Sequence, residues 1–245
     1  MIEIKNLKKS FGDLLVWEDV SFTIQDGETT AVIGRSGCGK SVLLKHLNAL
    51  LYPDEGNVLI DGEDVFDLSY TGLRKVRQRF GILFQGGALF DSISTFENVA
   101  FPLRYFTEQG EEEIAHNVYE ALSMVNLEDV GEKSTSELSG GMRKRVGLAR
   151  AIILQPDYLL YDEPTSGLDP KTSDEINELI VTMADNLDIT SVVITHDMHS
   201  VLEVSDRVAF LDEQKLSWFG NTDDMKHSDN QNLLEFIKAS EYKIT

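Results

Sequence analysis

Gly34-Arg35-Ser36-Gly37-Cys38-Gly39-Lys40-Ser41 sets three glycines, a lysine and a terminal serine within eight residues. It fits G-x-x-x-x-G-K-[ST] at every fixed position. A chain that wraps a phosphate with its own N–H groups must keep β-carbons out of the way, and glycines do so. Before the stretch, Thr29–Ile33 is a compact apolar run of strand type. After it, Ser41–Leu51 carries Leu43, Leu44, Leu47, Leu50 and Leu51 at the spacing of one helical face. Strand, glycine loop and helix in that order aim the helix's first N–H groups and its dipole at an anion. Lys40 then neutralises the outer phosphates of a nucleotide, and the Ser41 hydroxyl is placed to hold Mg2+. Cys38, the single cysteine, has two readings: a small loop residue, or a thiol whose pKa is lowered by the helix start and Lys40.

Further along the chain, Tyr158-Leu159-Leu160-Tyr161 is an apolar run that ends in Asp162 and Glu163. A buried parallel strand ending in a carboxylate delivers it to the sheet edge where ligands of open α/β sheets bind. Asp162 can face the metal opposite Ser41, and Glu163 can orient or deprotonate a water. Gln85 ends Gly81–Phe84 and His196 ends Ser191–Thr195. Each would mean little alone and gains weight from closing a strand-like run. Strand-like pieces also occur at Ile2–Lys5, Leu14–Ile24, Val58–Ile60, Val208–Leu211 and Ser217–Phe219, with a basic stretch at Arg74–Arg79. Residues 95–153 read as mostly helical, an insertion into an α/β domain. Strands alternating with helices such as Thr172–Leu187 predict a parallel sheet between helices.

Composition bounds the rest. The chain has 245 residues, 42% of them hydrophobic and 26% charged, the balance of a soluble globular protein. The formal charge of −20 disfavours nucleic-acid partners and direct adsorption to an anionic membrane. No apolar run approaches the roughly 20 residues of a membrane span. The opening residues alternate like a strand and do not resemble a signal peptide, and a lone cysteine suits a reducing, cytoplasmic setting.

Leu138-Ser139-Gly140-Gly141 opens a helical stretch rich in cations: Arg143, Lys144, Arg145 and Arg150. Serine and glycines at a helix start form a second anion-binding arrangement. With this motif the chain resembles the nucleotide-binding subunit of ATP-binding-cassette (ABC) transporters across residues 1–220. The ordered set is Phe11, Gly34–Ser41, Gln85, the LSGG signature, Asp162-Glu163, Ser166-Gly167-Leu168-Asp169 and His196. The resemblance implies an α/β fold: a P-loop NTPase (RecA-like) parallel-sheet core, an antiparallel β subdomain and an inserted helical subdomain, about 95–153, carrying the signature. Residues 221–245 would form a tail with a short helix.

The resemblance also implies site roles. ATP and Mg2+ are the expected cofactors. Phe11 would stack on adenine. Gly34, Arg35, Ser36, Gly37, Cys38, Gly39, Lys40, Ser41 and Val42 would bind nucleotide. Gly140 and Asp169 would also bind nucleotide, and Ser139 and Gly141 would complete the site of a second copy in a head-to-tail dimer. Glu163 would be the general base, with Lys40, Gln85 and His196 around the γ-phosphate; Ser41, Gln85 and Asp162 would hold the metal.

Met142-Arg143 after the signature, Arg35 in the loop and Phe84–Ser92 narrow the resemblance to the MlaF-type ATPases of bacterial phospholipid (MCE/Mla) transport systems. That subfamily implies polytopic permease subunits, an MCE-domain lipid-binding protein and a small accessory subunit as partners. The place would be the cytoplasmic face of the inner membrane, held there through the permease. Ala88, Leu89, Phe90, Phe96, Val99, Phe101 and Phe106 would be divided between core packing and the permease interface. Leu233–Ile237 would either bind a partner or cap its own domain. The alternatives are an amino-acid or ion importer with the same mechanism, and a soluble ABC ATPase outside transport.

Overall fold

The computed structural model describes residues 1–240, so residues 241–245 of the expected tail lie outside the described residues. Five strands run parallel side by side: β9 (Arg207–Asp212), β3 (Thr29–Ile33), β8 (Thr190–Ile194), β7 (Tyr158–Asp162) and β6 (Phe80–Leu83). Every residue of β3 and β8 is buried, as are the first four of β7. Continuous apolar runs of this kind arise when helices cover both faces of a sheet. Beyond β9 the order continues through β10 (Lys215–Asn221), β2 (Leu14–Ile24), β1 (Ile2–Phe11), β4 (Glu55–Ile60) and β5 (Glu63–Asp64). Antiparallel pairing governs this half, except where β10 meets β2 in parallel at Lys215 and Asp19. The result is one mixed sheet of ten strands among the described residues, with the parallel core expected from the alternation and the antiparallel region implied by the family resemblance.

Helices α1 (Lys40–Leu47) and α2 (Tyr70–Gln78) lie in the first third of the chain. In α1, Leu43, Leu44 and Leu47 pack against Trp17, Val32, Leu160 and Val192. Helices α3 (Thr95–Phe106), α4 (Glu111–Met124) and α5 (Gly140–Ile152) form the inserted layer. Their Val99, Leu103, Ile114, Val118, Leu122 and Val146 share one core with Leu83, Tyr161, and Ile176 and Ile180 of α6 (Pro170–Leu187). A third cluster sets Ile33 and Phe210 against Val201 of α7 (Met198–Val204), Met225 of α8 (Thr222–Met225), and Leu233 and Ile237 of α9 (Gln231–Ala239). The apolar face of α9 thus covers its own sheet, which withdraws Leu233 and Ile237 from any partner surface.

One local reading is corrected, and one stretch that the sequence left without an element gains one. The first helix stops at Leu47 rather than Leu51. Ala49 takes a left-handed φ of 54°, and the amides of Leu50 and Leu51 turn back onto the Lys45 carbonyl at 2.8 and 3.0 Å. Leu50 is left 54% exposed. The basic stretch Arg74–Arg79 belongs mostly to α2, whose start is capped by Ser69 accepting from the Gly72 amide. Its buried stripe is only Leu73 and Val76, too short to stand out among the cations.

Candidate functional site

The parallel half of the sheet gathers the site. β3 runs into Gly34–Ser41, β6 into Gln85, β7 ends at Asp162 beside Glu163, and β8 runs into His196. Because these strands are parallel neighbours, their C-terminal ends open on one edge. A cavity of about 800 Å3 lies there, and its lining includes the glycine loop apart from Cys38, together with Val42, Gln85, Asp162, Glu163 and His196. Glu235, Phe236, Ala239 and Ser240 of the C-terminal segment wall the same cavity. Sequence reading missed this wall, since nothing local in α9 announces where the helix will dock.

The loop is held in shape by sterics and two anchors. Gly39, at φ +96°, precedes α1; a β-carbon there would stand 2.5 Å from Val16 Cγ1 and 2.6 Å from Trp17 Nε1. Gly34, at φ +152°, would drive one to 2.3 Å from the Leu211 carbonyl oxygen. The fully buried Trp17 donates its indole N–H to the Cys38 carbonyl at 3.1 Å. Lys40 donates to the Gly34 and Arg35 carbonyls at 2.8 and 3.3 Å, which holds its ammonium across the loop. Cys38 is half-buried, and burial raises its thiol pKa despite the pull of the Lys40 charge. This desolvation favours the reading of Cys38 as a small loop residue over that of an activated thiol.

The acidic side is equally well defined. Ser41 Oγ donates to Asp162 Oδ1 at 3.2 Å, bringing together oxygens 121 residues apart in sequence. Two hard oxygen donors facing each other, with the Gln85 amide on the same cavity wall, suit Mg2+ with part of its water shell retained. His196 Nδ1 lies 2.9 Å from both Glu163 carboxylate oxygens, the geometry of a ring N–H donating to the carboxylate. Gln85 Nε2 donates to Ser166 Oγ at 3.2 Å. Glu163 itself has a left-handed φ of 49°, a backbone strain of about 1–3 kcal/mol in a non-glycine residue. Its amide donates to the Ile194 carbonyl at 2.8 Å, and its own carbonyl accepts from Ser166 N–H and from Lys144 Nζ. Besides the α9 wall, Trp17 and Lys144 contribute to the site without having been placed there by sequence reading.

Several expected residues stand apart from this cavity. Phe11 is 48% exposed at the end of β1, with Lys9 Nζ 5.4 Å from its ring centre. Ser139 caps α5 by accepting from the Met142 amide at 3.2 Å, and neither it nor Gly140 nor Gly141 lines the cavity. Asp169 caps α6, and its bonds from the Thr172 hydroxyl and amide hold its carboxyl below the usual range. Of the apolar segment after Gln85, Val99 is core, whereas Phe90 and Phe101 stay 45% and 44% exposed. They form an aromatic surface with Tyr105 and Phe106, over which Arg74 lies at 5.5 Å. Tyr105, 61% exposed, was not singled out in the sequence; it lies past Leu103, the last buried residue of α3. No helix among the described residues is long and apolar enough to cross a membrane.

A family model described as "ABC transporter" matches residues 17–166. The chain is 43% identical over 238 residues to a probable ribonucleotide transport ATP-binding protein mkl of Mycobacterium leprae, covering 97% of this chain and 69% of that one. It is 40% identical to the intermembrane phospholipid transport system ATP-binding protein MlaF of Haemophilus influenzae, covering 98% and 90% respectively. To the methionine import ATP-binding protein MetN of Clostridium tetani it is 41% identical, covering 98% and 76%. The chain spans only about two thirds of the length of the mycobacterial relatives. Among solved structures, a dimeric post-hydrolysis state of the ATP-binding cassette MJ0796 bound to ADP and Pi superposes with a TM-score of 0.83 at 31% identity. The match covers 90% of this chain and 98% of that one.

Proposed function

The chain belongs to the ABC transporter family as its ATP-binding, ATP-hydrolysing subunit, and we propose that it powers phospholipid movement between membranes of a cell envelope. The observation that carries the catalytic assignment is the gathering of Lys40, Ser41, Gln85, Asp162, Glu163 and His196 on one cavity. In this reading the glycine loop and the first turn of α1 bind the phosphates through N–H groups, and Lys40 exchanges its carbonyl partners for phosphate oxygens. Ser41 and Asp162, with Gln85, hold Mg2+, which when bound neutralises charge on the outer phosphates. Glu163 takes the proton of the attacking water. His196 keeps that carboxylate aimed through Nδ1 and offers its other ring nitrogen to the γ-phosphate side.

Phe11 stacks on adenine, and Ser139, Gly140, Gly141 and Asp169 serve the nucleotide of a second copy. Their separation from the cavity of their own chain supports this division, as does the dimeric form of the related cassette. The aromatic surface around Phe90, Phe101 and Tyr105 docks a polytopic permease, which keeps the chain at the cytoplasmic face of the plasma membrane. The lipid assignment is supported by the near-equal lengths of this chain and the Haemophilus relative. It brings with it an MCE-domain lipid-binding protein as a further partner. The second reading, import of a small solute, is supported by the Clostridium relative, of which the chain spans a smaller share.

Glu163→Gln is expected to retain ATP binding, lose turnover by about 10²–10⁴-fold and accumulate a nucleotide-bound dimer. Unchanged hydrolysis would remove Glu163 as the base. Purifying the native complex and identifying its co-purifying subunits and lipids decides between the two cargo classes. A substrate-binding protein for an amino acid or ion in place of bound phospholipid would overturn the lipid reading.

A further inference from the structure

Lys144 projects from α5, the helix that the LSGG signature opens, yet its ammonium reaches the β7 edge and donates to the Glu163 carbonyl at 2.9 Å. The residue is only 4% exposed, and no ion pair among the described residues includes it. A buried cation without a carboxylate in contact is costly, and chains keep one where its position does something. Burial lowers its pKa to about 8, against the upward pull of the Glu163 and Asp162 charges. Its acceptor is the peptide of the one strand-end residue here that combines a left-handed backbone with the carboxylate facing the catalytic cavity. The Glu163 backbone is fastened on both sides of its Cα. Its N–H is tied to Ile194, the last residue of β8, and its C=O to Ser166 N–H and to Lys144. Of these partners, Lys144 alone comes from the signature helix.

We propose that Lys144 is a positioning residue that holds the strained Glu163 peptide, so that the carboxylate faces the nucleotide and moves with the signature helix. The proposal rests on the reading of Glu163 as the general base. A lysine suits the task because four methylenes span the gap from the α5 backbone while the ammonium supplies the donor. Methionine fills the same volume and donates nothing. Arginine has comparable reach and donates.

The experiment compares wild type, Lys144→Met, Lys144→Arg and Glu163→Gln as full-length chains. Steady-state ATP hydrolysis and nucleotide affinity are measured with MgATP, and folding by thermal denaturation. Lys144→Met should lower kcat by roughly 10- to 100-fold, the range set by losing one hydrogen bond from a charged donor, with KM for MgATP within about threefold. Lys144→Arg should restore kcat to within about fivefold of wild type.

A Lys144→Met variant that hydrolyses ATP like wild type, while Glu163→Gln does not, overturns the positioning role and leaves the base in place. Wild-type hydrolysis by Glu163→Gln overturns the underlying reading instead. If Lys144→Met fails to fold, or kcat and KM worsen together, Lys144→Arg decides: recovery of kcat supports positioning by the donor, and failure to recover overturns it.

Discussion

Gly37 and Gly39 lie two residues apart in the same loop, and replacing each by alanine separates backbone strain from steric exclusion. Both have positive φ, +81° and +96°, so an alanine at either pays about 1–2 kcal/mol for a conformation that L-residues avoid. At Gly37 the new methyl meets nothing within 4 Å. At Gly39 it would lie 2.5 Å from Val16 Cγ1 and 2.6–2.8 Å from the Trp17 indole, and Trp17 is fully buried. The wall cannot retreat without opening the core behind β2, so overpacking adds about 1–3 kcal/mol. At roughly 2–4 °C per kcal/mol for a chain of this size, Gly39→Ala should melt about 2–12 °C below Gly37→Ala. Differential scanning calorimetry of the nucleotide-free proteins measures this gap directly. The stabilisation that MgATP gives the wild type should also shrink in Gly39→Ala, because the first turn of α1 must shift to admit the methyl. Equal melting temperatures for the two variants would mean that the Trp17 wall yields freely and excludes no β-carbon at Gly39.

Cys38, with its thiol pKa raised by burial, should react with a maleimide at pH 7.4 more slowly than a free cysteine peptide and speed up once urea unfolds the chain. An equal rate in the folded protein would show the thiol to be exposed and activated after all. His46 is fully buried on α1, its Nδ1 at 2.7 Å from the Val42 carbonyl and its Nε2 without a partner among the described residues. Burial lowers its pKa from 6.5, so as pH falls the unfolded chain takes up this proton first. The stability contributed by the neutral ring is complete above about pH 6.5 and is lost below it. Chemical denaturation at pH 7.5 and 5.5 should therefore show a larger loss for wild type than for His46→Leu, and identical losses would exclude His46 as a source of the acid sensitivity.

The sequence alone determined the phosphate loop and the type of strand that precedes it, because both are local matters. Gly34 and Gly39 are needed where the backbone has positive φ and no room for a β-carbon, and continuous apolar runs are what doubly covered parallel strands require. It also determined that Gln85, Asp162, Glu163 and His196 each close such a run. The family resemblance supplied the antiparallel half of the sheet, which strand periodicity did not distinguish from the rest. It could not give the end of α1, where Lys45 captures two amides of the following turn, nor the sparsely apolar α2.

The spatial order β3, β8, β7, β6 arises from packing across the whole chain, and it turns four scattered strand ends into one site. Trp17 beneath the loop, Lys144 behind Glu163 and α9 along the cavity belong to the same class of fact. Each is a contact between elements whose local sequence is satisfied by ordinary packing. Nothing in a tryptophan on a strand or a lysine on a helix states which distant carbonyl it will meet; the meeting is fixed when the helices and strands bury their apolar faces together.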